Sequence, residues 1–382
     1  MNENASSPQG PSEILTAILL LPTGLHWHSQ HLAGVPILLR NALTLQKIGI
    51  KKLVLWRQDP TENEKDPLHD LMQDSRIVLE VEWNHTPELQ GINIMVLDSS
   101  TLLEKSEVLQ AMTASTENHA DISSFLYFPE SLKQLLASQE NNHIKIIPPN
   151  DSSRLIHKKD FYAAEERLLK TVGLSNDSLM DRLVTRFISR QLTRLFLRTP
   201  VTPNQITFLS LLIGLGSAGC FYQGTYFSGV IGAVLLLVSS WVDCTDGEIA
   251  RLKFMETPWG ARFDIFCDNI VHFFVFFSIG MGLFFSTGNP LYKLYGGLAV
   301  YGSLVSFMIL SRAIVKNKKA AEQSKISETN LADQVANRDF VYFLLVMAAI
   351  GKLELFILIT AIGANVFAIY LMYQKWGRAK RY

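Results

Sequence analysis

The most informative stretch of the chain reads DCTDGEIAR over residues 243–251 and, eight residues later, GARFDIFCD over residues 260–268. It carries four aspartates: Asp243, Asp246, Asp264 and Asp268. The first two are spaced i, i+3 and the last two i, i+4, so on helices each pair shares one face. Long apolar segments flank the stretch, and charges in such a setting need partners. Two helices joined by a tight turn can direct all four carboxylates at one point, where a pair of cations would neutralise them.

This spacing, D-x2-D-G-x2-A-R-x8-G-x3-D-x3-D, resembles the signature of the CDP-alcohol phosphotransferase family. A chance match to its fixed positions is expected at about one start site in 10^10. Members of the family are integral membrane enzymes that cleave a CDP-linked alcohol at its pyrophosphate. The resemblance implies two Mg²⁺ or Mn²⁺ ions bound by Asp243, Asp246 and Asp264, with Asp268 as general base and further metal ligand. It also implies a homodimer.

Small and basic residues of the same stretch are suited to contact a donor nucleotide. Gly247 has no side chain and Ala250 has a small one, so a nucleotide can approach the helix backbone. Arg251 can hold phosphate oxygens with its planar guanidinium. The alternative for Arg251 is an ion pair with Glu248 or Glu256.

Three further elements complete the expected donor site. Gly260 allows close packing between the two halves of the motif. By resemblance to the family, Thr257 supplies a hydroxyl that touches the donor. The segment Pro203-Asn204, also by resemblance, opens the first membrane span and lies against the nucleotide.

From about residue 200 the sequence becomes strongly apolar. Most of its apolar stretches reach the ~20 residues that a helix needs to cross a bilayer, and they cover residues 205–222, 226–248, 263–286, 291–315, 339–351 and 354–373. The fifth is short. The pattern predicts an all-α bundle of six transmembrane helices over residues 200–382.

The basic residues predict the orientation of this bundle. Lysines follow the fourth stretch at 316–319, and basic residues follow the sixth at 375–381. Because such residues stay on the cytoplasmic side, we expect both termini and the 243–268 hairpin to face the cytoplasm at a bacterial or archaeal cell membrane. The basic residues of 316–338 would also suit a phosphorylated acceptor, although membrane topology explains the same lysines.

Arginines recur every four residues before the first apolar stretch, at Arg182, Arg186, Arg190, Arg194 and Arg198. Apolar residues fill much of the remainder. We predict an amphipathic helix over residues 176–199 that lies in the membrane interface, with its arginines on lipid phosphates and its apolar side in acyl chains. A soluble helix with a solvated basic face is the alternative.

Residues 1–175 form a different kind of sequence, in which strand-like and helix-like segments alternate. Strands are predicted at 14–21, 52–56, 77–83 and 92–97, and a helix at 33–48. This alternation indicates an α/β domain with a mostly parallel sheet. The half carries 15 basic and 22 acidic residues, whereas the remainder carries 20 and 13. An acidic soluble half joined to a basic half fits a protein whose second half meets anionic lipid.

The stretch from Gly34 to Val54 resembles sugar-phosphate nucleotidyltransferase domains. Such a domain is fused to this membrane domain in bifunctional inositol-phosphate cytidylyltransferase and di-inositol-phosphate phosphate synthase enzymes. An active nucleotidyltransferase has a Gly-rich, basic loop after its first strand. Residues 21–30 hold one Gly and no Arg or Lys, although Asp98 sits where a metal-binding aspartate is expected. We therefore predict a degenerate, non-catalytic relative.

Together these patterns predict a metal-dependent membrane transferase that moves a substituted phosphate group from a CDP-alcohol to a hydroxyl acceptor and releases CMP, in phospholipid or phosphodiester biosynthesis. The donor is either CDP-diacylglycerol or a CDP-polyol, and a polyol phosphate such as an inositol phosphate is a candidate acceptor. Two alternatives stay open: a bifunctional enzyme that also makes its CDP-alcohol, and a non-enzymatic membrane-anchored scaffold that binds nucleotide. Membrane lipid is an expected partner, and nucleic acid is not. The cysteines, Cys220, Cys244 and Cys267, are expected to be unpaired.

Overall fold

The structure, a computed structural model, describes residues 16–22, 30–57, 67–83, 94–113, 122–130, 132–134, 144–150, 153–172, 184–317 and 339–379. The chain divides into two compact units, Met1–Thr171 and Val172–Tyr382. The three cysteines are free, as predicted.

A parallel sheet forms the centre of the first unit. Its strands are β1 (Thr16–Leu21), β4 (Lys52–Arg57), β5 (Glu80–Trp83), β6 (Ile94–Asp98) and β7 (Ile144–Ile146). They lie in the order β5-β4-β1-β6-β7, and every neighbouring pair is parallel. The predicted α/β class and parallel sheet are confirmed. The chain runs outward from β1 through β4 to β5 and then crosses to β6 on the other side of β1, as in doubly wound folds.

Helices connect these strands. They are α1 (Ile37–Lys47), α2 (Pro67–Met72), α3 (Lys105–Thr113) and, after the last strand, α4 (Lys158–Thr171). The expected helix at 33–48 begins four residues late, because a short antiparallel pair, β2 (His31–Leu32) and β3 (Val35–Pro36), precedes it. Ala33 and Gly34 both have positive φ, which makes the tight turn of that pair and excludes helix there.

Apolar side chains of the strands fill the core of the first unit. Ile18, Leu20, Val54 and Val96 are among those packed against Phe125 and Phe128. The buried side chain of Asn41, on α1, makes hydrogen bonds to the segment that follows β6. Its Nδ2 donates to the carbonyl of Thr101 (2.9 Å), and its Oδ1 accepts from the amide of Leu103 (3.1 Å). These bonds satisfy backbone groups that would otherwise be buried without partners.

The second unit is helical. It contains α5 (Arg186–Leu197), α6 (Pro203–Tyr222), α7 (Tyr226–Leu252), α8 (Pro258–Thr287), α9 (Leu291–Asn317), α10 (Asp339–Ala349) and α11 (Leu353–Ala379). Five of the six predicted apolar stretches lie within one of the last six helices, and the fifth, 339–351, extends two residues beyond the end of α10 at Ala349. Their boundaries follow local signals: Pro203 and Pro258 stand at the first helical positions, and Gly288 ends α8 with positive φ.

Four described helices are long and apolar enough to cross a membrane: Pro203–Tyr222, Tyr226–Leu252, Pro258–Thr287 and Leu353–Gln374. The second unit is therefore that of an integral membrane protein. Helix α10, with 11 residues, is shorter than a full span. The orientation predicted from the basic residues at 316–319 and 375–381 depends on side chains that are not among those the structure describes.

The helices pack through small residues as well as apolar ones. A Cβ built on Gly280 of α8 would lie 2.9 Å from the Cα of Gly296 on α9, so only glycine permits this approach. Close backbone approach through small residues is typical of membrane helices, where apolar burial alone does not drive association. Around it, Phe356, Val275, Leu344 and neighbouring side chains form one buried cluster.

Asn41→Ala should destabilise the first unit, because the amide of Leu103 and the carbonyl of Thr101 would lose their partner. We expect the free energy of unfolding of this unit to fall by about 2–4 kcal/mol. Native-state hydrogen exchange of the full chain, followed at residues 99–103, measures this change. Thr44→Val is the control, because the Thr44 hydroxyl donates only within its own helix, to the carbonyl of Arg40. Equal exchange in both variants would contradict the assignment.

Candidate active site

The two halves of the acidic motif lie on consecutive helices, at the end of α7 and the start of α8. The turn between them contains Phe254 with φ of 54°, a left-handed conformation unusual for a non-glycine residue. Its closing bond runs from the amide of Met255 to the carbonyl of Ala250 (2.8 Å). Thr257 caps α8, where its Oγ1 accepts from the amide of Gly260 (2.9 Å). These local signals reverse the chain and bring the aspartates of α8 back towards α7.

Three of the four aspartates converge. Asp243, Asp246 and Asp264 each offer a carboxylate oxygen, and these oxygens lie within 4.8 Å of one another. Asp243 and Asp246 are 5% and 6% exposed. Asp268 is half-buried one turn beyond Asp264 on α8 and lies outside this group of three. Cys267, beside it, is within electrostatic range of all four carboxylates.

Hydroxyl groups of α6 hold the two aspartates of α7. The Oγ1 of Thr207 donates a short hydrogen bond to Oδ2 of Asp246. The Oγ of Ser210, one turn further on, lies 3.3 Å from Oδ1 of Asp243 and 2.8 Å from the carbonyl of Thr207, and can donate to either. Ser239 of α7 then donates to the carbonyl of Ser210 (2.7 Å), which ties the two helices together. Such contacts fix the direction of the carboxylates before any cation binds.

An open cavity of about 440 Å³ adjoins this group. It brings together every residue predicted to bind the donor: Pro203, Asn204, Gly247, Ala250, Arg251, Thr257 and Gly260. Asp246 and Asp264 also line it. Carboxylates at one side and a guanidinium at another give the cavity groups for both a cation and a phosphate.

Arg251 folds back over the glycine of its own helix. A Cβ built on Gly247 would lie 3.2 Å from Nη1 of Arg251, so the absence of a side chain leaves space for the guanidinium. The Nε of Arg251 donates to the carbonyl of Val172 (3.2 Å). Gly260 is confined in the same way, since a Cβ there would lie 3.1 Å from Oδ1 of Asn204. Both glycines therefore keep open the walls of the cavity.

Glu248, which the sequence offered as a partner for Arg251, pairs elsewhere. Its Oε1 accepts from Nη1 of Arg186 (2.7 Å) and from Oγ of Ser189 (2.7 Å), and its Oε2 accepts from Oγ1 of Thr193 (2.6 Å). All three donors lie on α5. The expectation that Arg186 contacts lipid phosphate is thus wrong, because a buried carboxylate on α7 attracts this arginine inward.

The sequence analysis missed Thr207, Ser210 and the Glu248 cluster. A signal for the first two existed in the spacing of small and polar residues along α6, where Pro203, Thr207, Ser210, Gly214 and Ser217 follow at intervals of four, three, four and three. Such spacing marks one face of a helix. No comparable signal identified Glu248, because a glutamate near the end of a membrane span also suits a solvated position.

The first unit has a cavity of its own, of about 480 Å³, at the ends of β6 and β7. Asp98 lines it, and its Oδ1 accepts from the amide of Ser100 (2.8 Å). The loop on which the non-catalytic interpretation depends, residues 21–30, lies largely outside the described residues, since 23–29 are not described.

Residues 200–378 match the family model for CDP-alcohol phosphatidyltransferase. These residues form a CDP-alcohol phosphatidyltransferase domain. The match includes the aspartates on α7 and α8 and the whole cavity lining. The family resemblance of the motif is confirmed, and so is the layout, in which an α/β unit precedes the membrane helices of the phosphatidyltransferase domain.

Curated relatives extend this comparison. The chain is 27% identical over 225 residues to the bifunctional IPC transferase and DIPP synthase of Aquifex aeolicus, which covers 57% of this chain and 50% of that protein. It is 30% identical over 112 residues to the phosphatidylinositol phosphate synthase of Corynebacterium glutamicum, covering 29% of this chain and 50% of that one. The chain thus spans about half the length of these relatives.

Among solved structures, the phosphatidylinositol phosphate synthase of Mycobacterium tuberculosis with CDP-DAG bound is similar at a TM-score of 0.39 and 20% identity. The similarity covers 51% of this chain and 94% of that one.

Thr207→Val should weaken divalent-cation binding about tenfold, because Asp246 would lose the hydroxyl that orients it. Titration of the purified full chain with Mn²⁺, followed by electron paramagnetic resonance, measures the affinity. Thr245→Val is a matched control: Thr245 neighbours Asp246, but its hydroxyl donates to the carbonyl of Trp241 in its own helix (3.0 Å). If both variants bound Mn²⁺ like the parent protein, the orienting role of Thr207 would be excluded.

Proposed function

We propose that this protein is a divalent-metal-dependent transferase that moves a substituted phosphate group from a CDP-alcohol to a hydroxyl acceptor and releases CMP. One observation carries the proposal. Three buried or half-buried carboxylates of the phosphatidyltransferase motif converge within 4.8 Å, beside a cavity lined by Arg251 and by the glycines of the same motif.

The carboxylate group fits a divalent cation. Ligand oxygens around one Mg²⁺ or Mn²⁺ ion are about 3 Å apart when adjacent and about 4 Å apart when opposite, and the three carboxylate oxygens lie within 4.8 Å of one another. Hard oxygen donors suit these ions, and the hydroxyls of Thr207 and Ser210 already orient two of the ligands. We assign Asp243, Asp246 and Asp264 as ligands, and Asp268 as a further ligand if two ions bind together.

Bound divalent ions would stabilise the negative charge that develops on the pyrophosphate during transfer. Residues of this chain would bind the donor and accept the proton of the acceptor. Arg251 binds donor phosphate oxygens with its guanidinium, and Gly247 and Ala250 let the nucleotide approach α7. Asn204 and Thr257, which line the same cavity beside Gly260, contact the donor as well. Asp268 accepts the proton of the acceptor hydroxyl as its oxygen bonds to phosphorus and CMP departs.

The donor and acceptor are assigned by class. The motif contacts only CMP and pyrophosphate, which CDP-diacylglycerol and a CDP-polyol share. Two relatives of the domain are named phosphatidylinositol phosphate synthase, in Corynebacterium glutamicum, and archaetidylinositol phosphate synthase, in Methanothermobacter thermautotrophicus. We therefore favour a polyol phosphate of the inositol phosphate class as acceptor and a membrane lipid as product or donor.

The proposed membrane arrangement has six spans, α6 to α11, with α5 lying in the interface. The outer side of α5 supports this arrangement, because Phe187 and Leu195 are 66% and 61% exposed there and Arg198 is exposed at its end. Exposed aromatic and aliphatic side chains suit lipid better than water. The basic residues at 316–319 and 375–381 support a cytoplasmic opening and cytoplasmic termini.

We also propose a homodimer, for which the exposed Phe274 and Phe277 of α8 provide an apolar face.

We propose that the first unit covers residues 1–175. We also propose that it is non-catalytic, because its first loop lacks basic residues that could bind a triphosphate. The bifunctional alternative is supported by the curated relative with two named activities. Pyrophosphate release from CTP and polyol phosphates by the full chain would distinguish the two, and release abolished by Asp98→Asn would favour the bifunctional enzyme.

Purified protein in lipid should release CMP from a CDP-alcohol in the presence of Mg²⁺ or Mn²⁺, and chelation should abolish this release. A donor screen that pairs CDP-diacylglycerol or CDP-polyols with inositol phosphate, and detects CMP, tests the proposal.

Asp268→Asn should lower kcat about 10^2- to 10^4-fold, as expected for loss of a general base. The remote exposed acid Glu354, changed to Gln, is the control.

These outcomes separate the claims. No CMP from any donor would overturn the transferase and favour the scaffold. Normal turnover by Asp268→Asn would leave the transferase intact and exclude Asp268 as base.

Gly247→Ala should raise the donor KM about tenfold with a smaller change in kcat, because the added Cβ displaces the Arg251 guanidinium that binds donor phosphate. Steady-state kinetics with varied donor concentration measure both constants. Gly216→Ala is the matched control, since a Cβ on Gly216 of α6 meets nothing within 4 Å. An unchanged KM would contradict the expectation that a side chain at position 247 disturbs donor binding by Arg251.

A further inference from the structure

A buried acidic side chain outside the carboxylate group ties α5 to the helix that carries the motif. Glu248 is 2% exposed and accepts three hydrogen bonds from α5. The donors, Arg186, Ser189 and Thr193, follow at intervals of three and four residues and therefore share one face. A single carboxylate thus holds two turns of α5.

Helix α5 turns polar as well as apolar residues inward: Leu192 and Phe196 pack against a cluster that contains Ile206, and three polar side chains are buried beside them. Arg186, Ser189 and Thr193 are buried, whereas Phe187 and Leu195 are exposed. A second polar contact fixes the beginning of this helix, where the Oγ1 of Thr185 lies 2.8 Å from the hydroxyl of Tyr342. The position of α5 is therefore set by directional polar bonds rather than by apolar packing alone, and directional bonds define rotation as well as distance.

The position of Glu248 in α7 connects this anchor with the carboxylate group. It lies two residues after Asp246 and three before Arg251, within one turn of rigid helix. Arg186, its partner, also lies within electrostatic range of Arg251. Any rotation or shift of the last turns of α7 that followed loss of the anchor would move Asp246 and Arg251 together.

We propose that Glu248 is a positioning residue, whose bonds to α5 hold the end of α7 in the orientation that cation and donor binding require. This inference rests on the proposed function, because the cation and donor are those of the proposed reaction. Glu248 contacts neither of them directly; it acts through Asp246 and Arg251.

The proposal is tested by the direction in which two charge-removing substitutions change the affinity for the cation. Glu248→Gln removes a negative charge near the carboxylate group, and Arg186→Gln removes a positive one. A through-space charge effect would weaken cation binding in the first variant and tighten it in the second. Loss of positioning weakens binding in both, and we expect about tenfold for each.

Mn²⁺ binding by the full-length variants in lipid nanodiscs, measured by electron paramagnetic resonance, gives the affinities without requiring turnover. Ser217→Ala is the control, since it removes a buried hydrogen bond between α6 and α7, from Oγ to the carbonyl of Gly232 (2.7 Å), away from the carboxylate group. It should bind Mn²⁺ within about twofold of the parent protein. Tighter binding by Arg186→Gln, or parental binding by both variants, would overturn the proposal.

Thr193→Val provides a test if either charge variant fails to fold, because it keeps both charges and removes only the donor to Oε2 of Glu248. We expect it to weaken Mn²⁺ binding about threefold and to raise the donor KM more than it lowers kcat. If Thr193→Val had the Mn²⁺ affinity and the kinetic constants of the parent protein, the positioning role of Glu248 would be contradicted.

The inference and the proposed function can fail separately. If the parent protein binds Mn²⁺ but releases no CMP, the transferase is wrong and the Mn²⁺ comparison still decides the role of Glu248. If CMP is released and the variants bind Mn²⁺ like the parent, only the role of Glu248 is wrong.

Discussion

The helical unit depends on the burial of carboxylates between helices. Asp243, Asp246 and Glu248 all lie on α7, all are less than a tenth exposed, and each needs compensation that apolar neighbours cannot provide. The structure supplies it with hydroxyls and one guanidinium from α5 and α6. The two groups of contacts point in different directions around α7, so this helix is held by polar bonds on more than one side.

This constraint explains why the carboxylates on α7 have different roles. Glu248 is neutralised by an arginine and receives three hydrogen bonds, which suits a permanent structural contact. Asp243 and Asp246 receive weaker compensation from the hydroxyls of Ser210 and Thr207, which cannot neutralise their charge. Asp264 completes a group of three carboxylates whose oxygens lie within 4.8 Å of one another, an arrangement that suits a divalent cation.

The cavity beside the carboxylates depends equally on residues that lack bulk. Gly247 and Gly260 stand where a Cβ would meet Arg251 and Asn204. The guanidinium of Arg251 can therefore lie against the backbone of α7 and still reach the cavity. A binding site for a nucleotide diphosphate needs both features, a charge that holds phosphate and a surface that the ligand can approach closely.

The first unit shows a different balance between sequence and structure. Its alternating pattern predicted a parallel sheet, which the structure has, because strands buried on both faces read as short apolar runs. The order of the strands, with its reversal at β1, was not predictable from that pattern, since order depends on which side each connection takes. The start of α1 was placed too early because the turn at Ala33 and Gly34 depends on backbone conformation rather than on hydropathy.

The sequence by itself determined the family resemblance of residues 200–378, the acidic motif, the residues that line the cavity beside it and the apolar helices. Each of these depends on residue type at a fixed spacing within one or two helices. Only the tertiary structure decided which side chains compensate the buried charges. Thr207 lies 39 residues from Asp246, and Arg186 lies 62 residues from Glu248. Such pairings arise when separate helices pack, and an arginine that local periodicity assigned to lipid turned inward because a buried carboxylate on another helix required it.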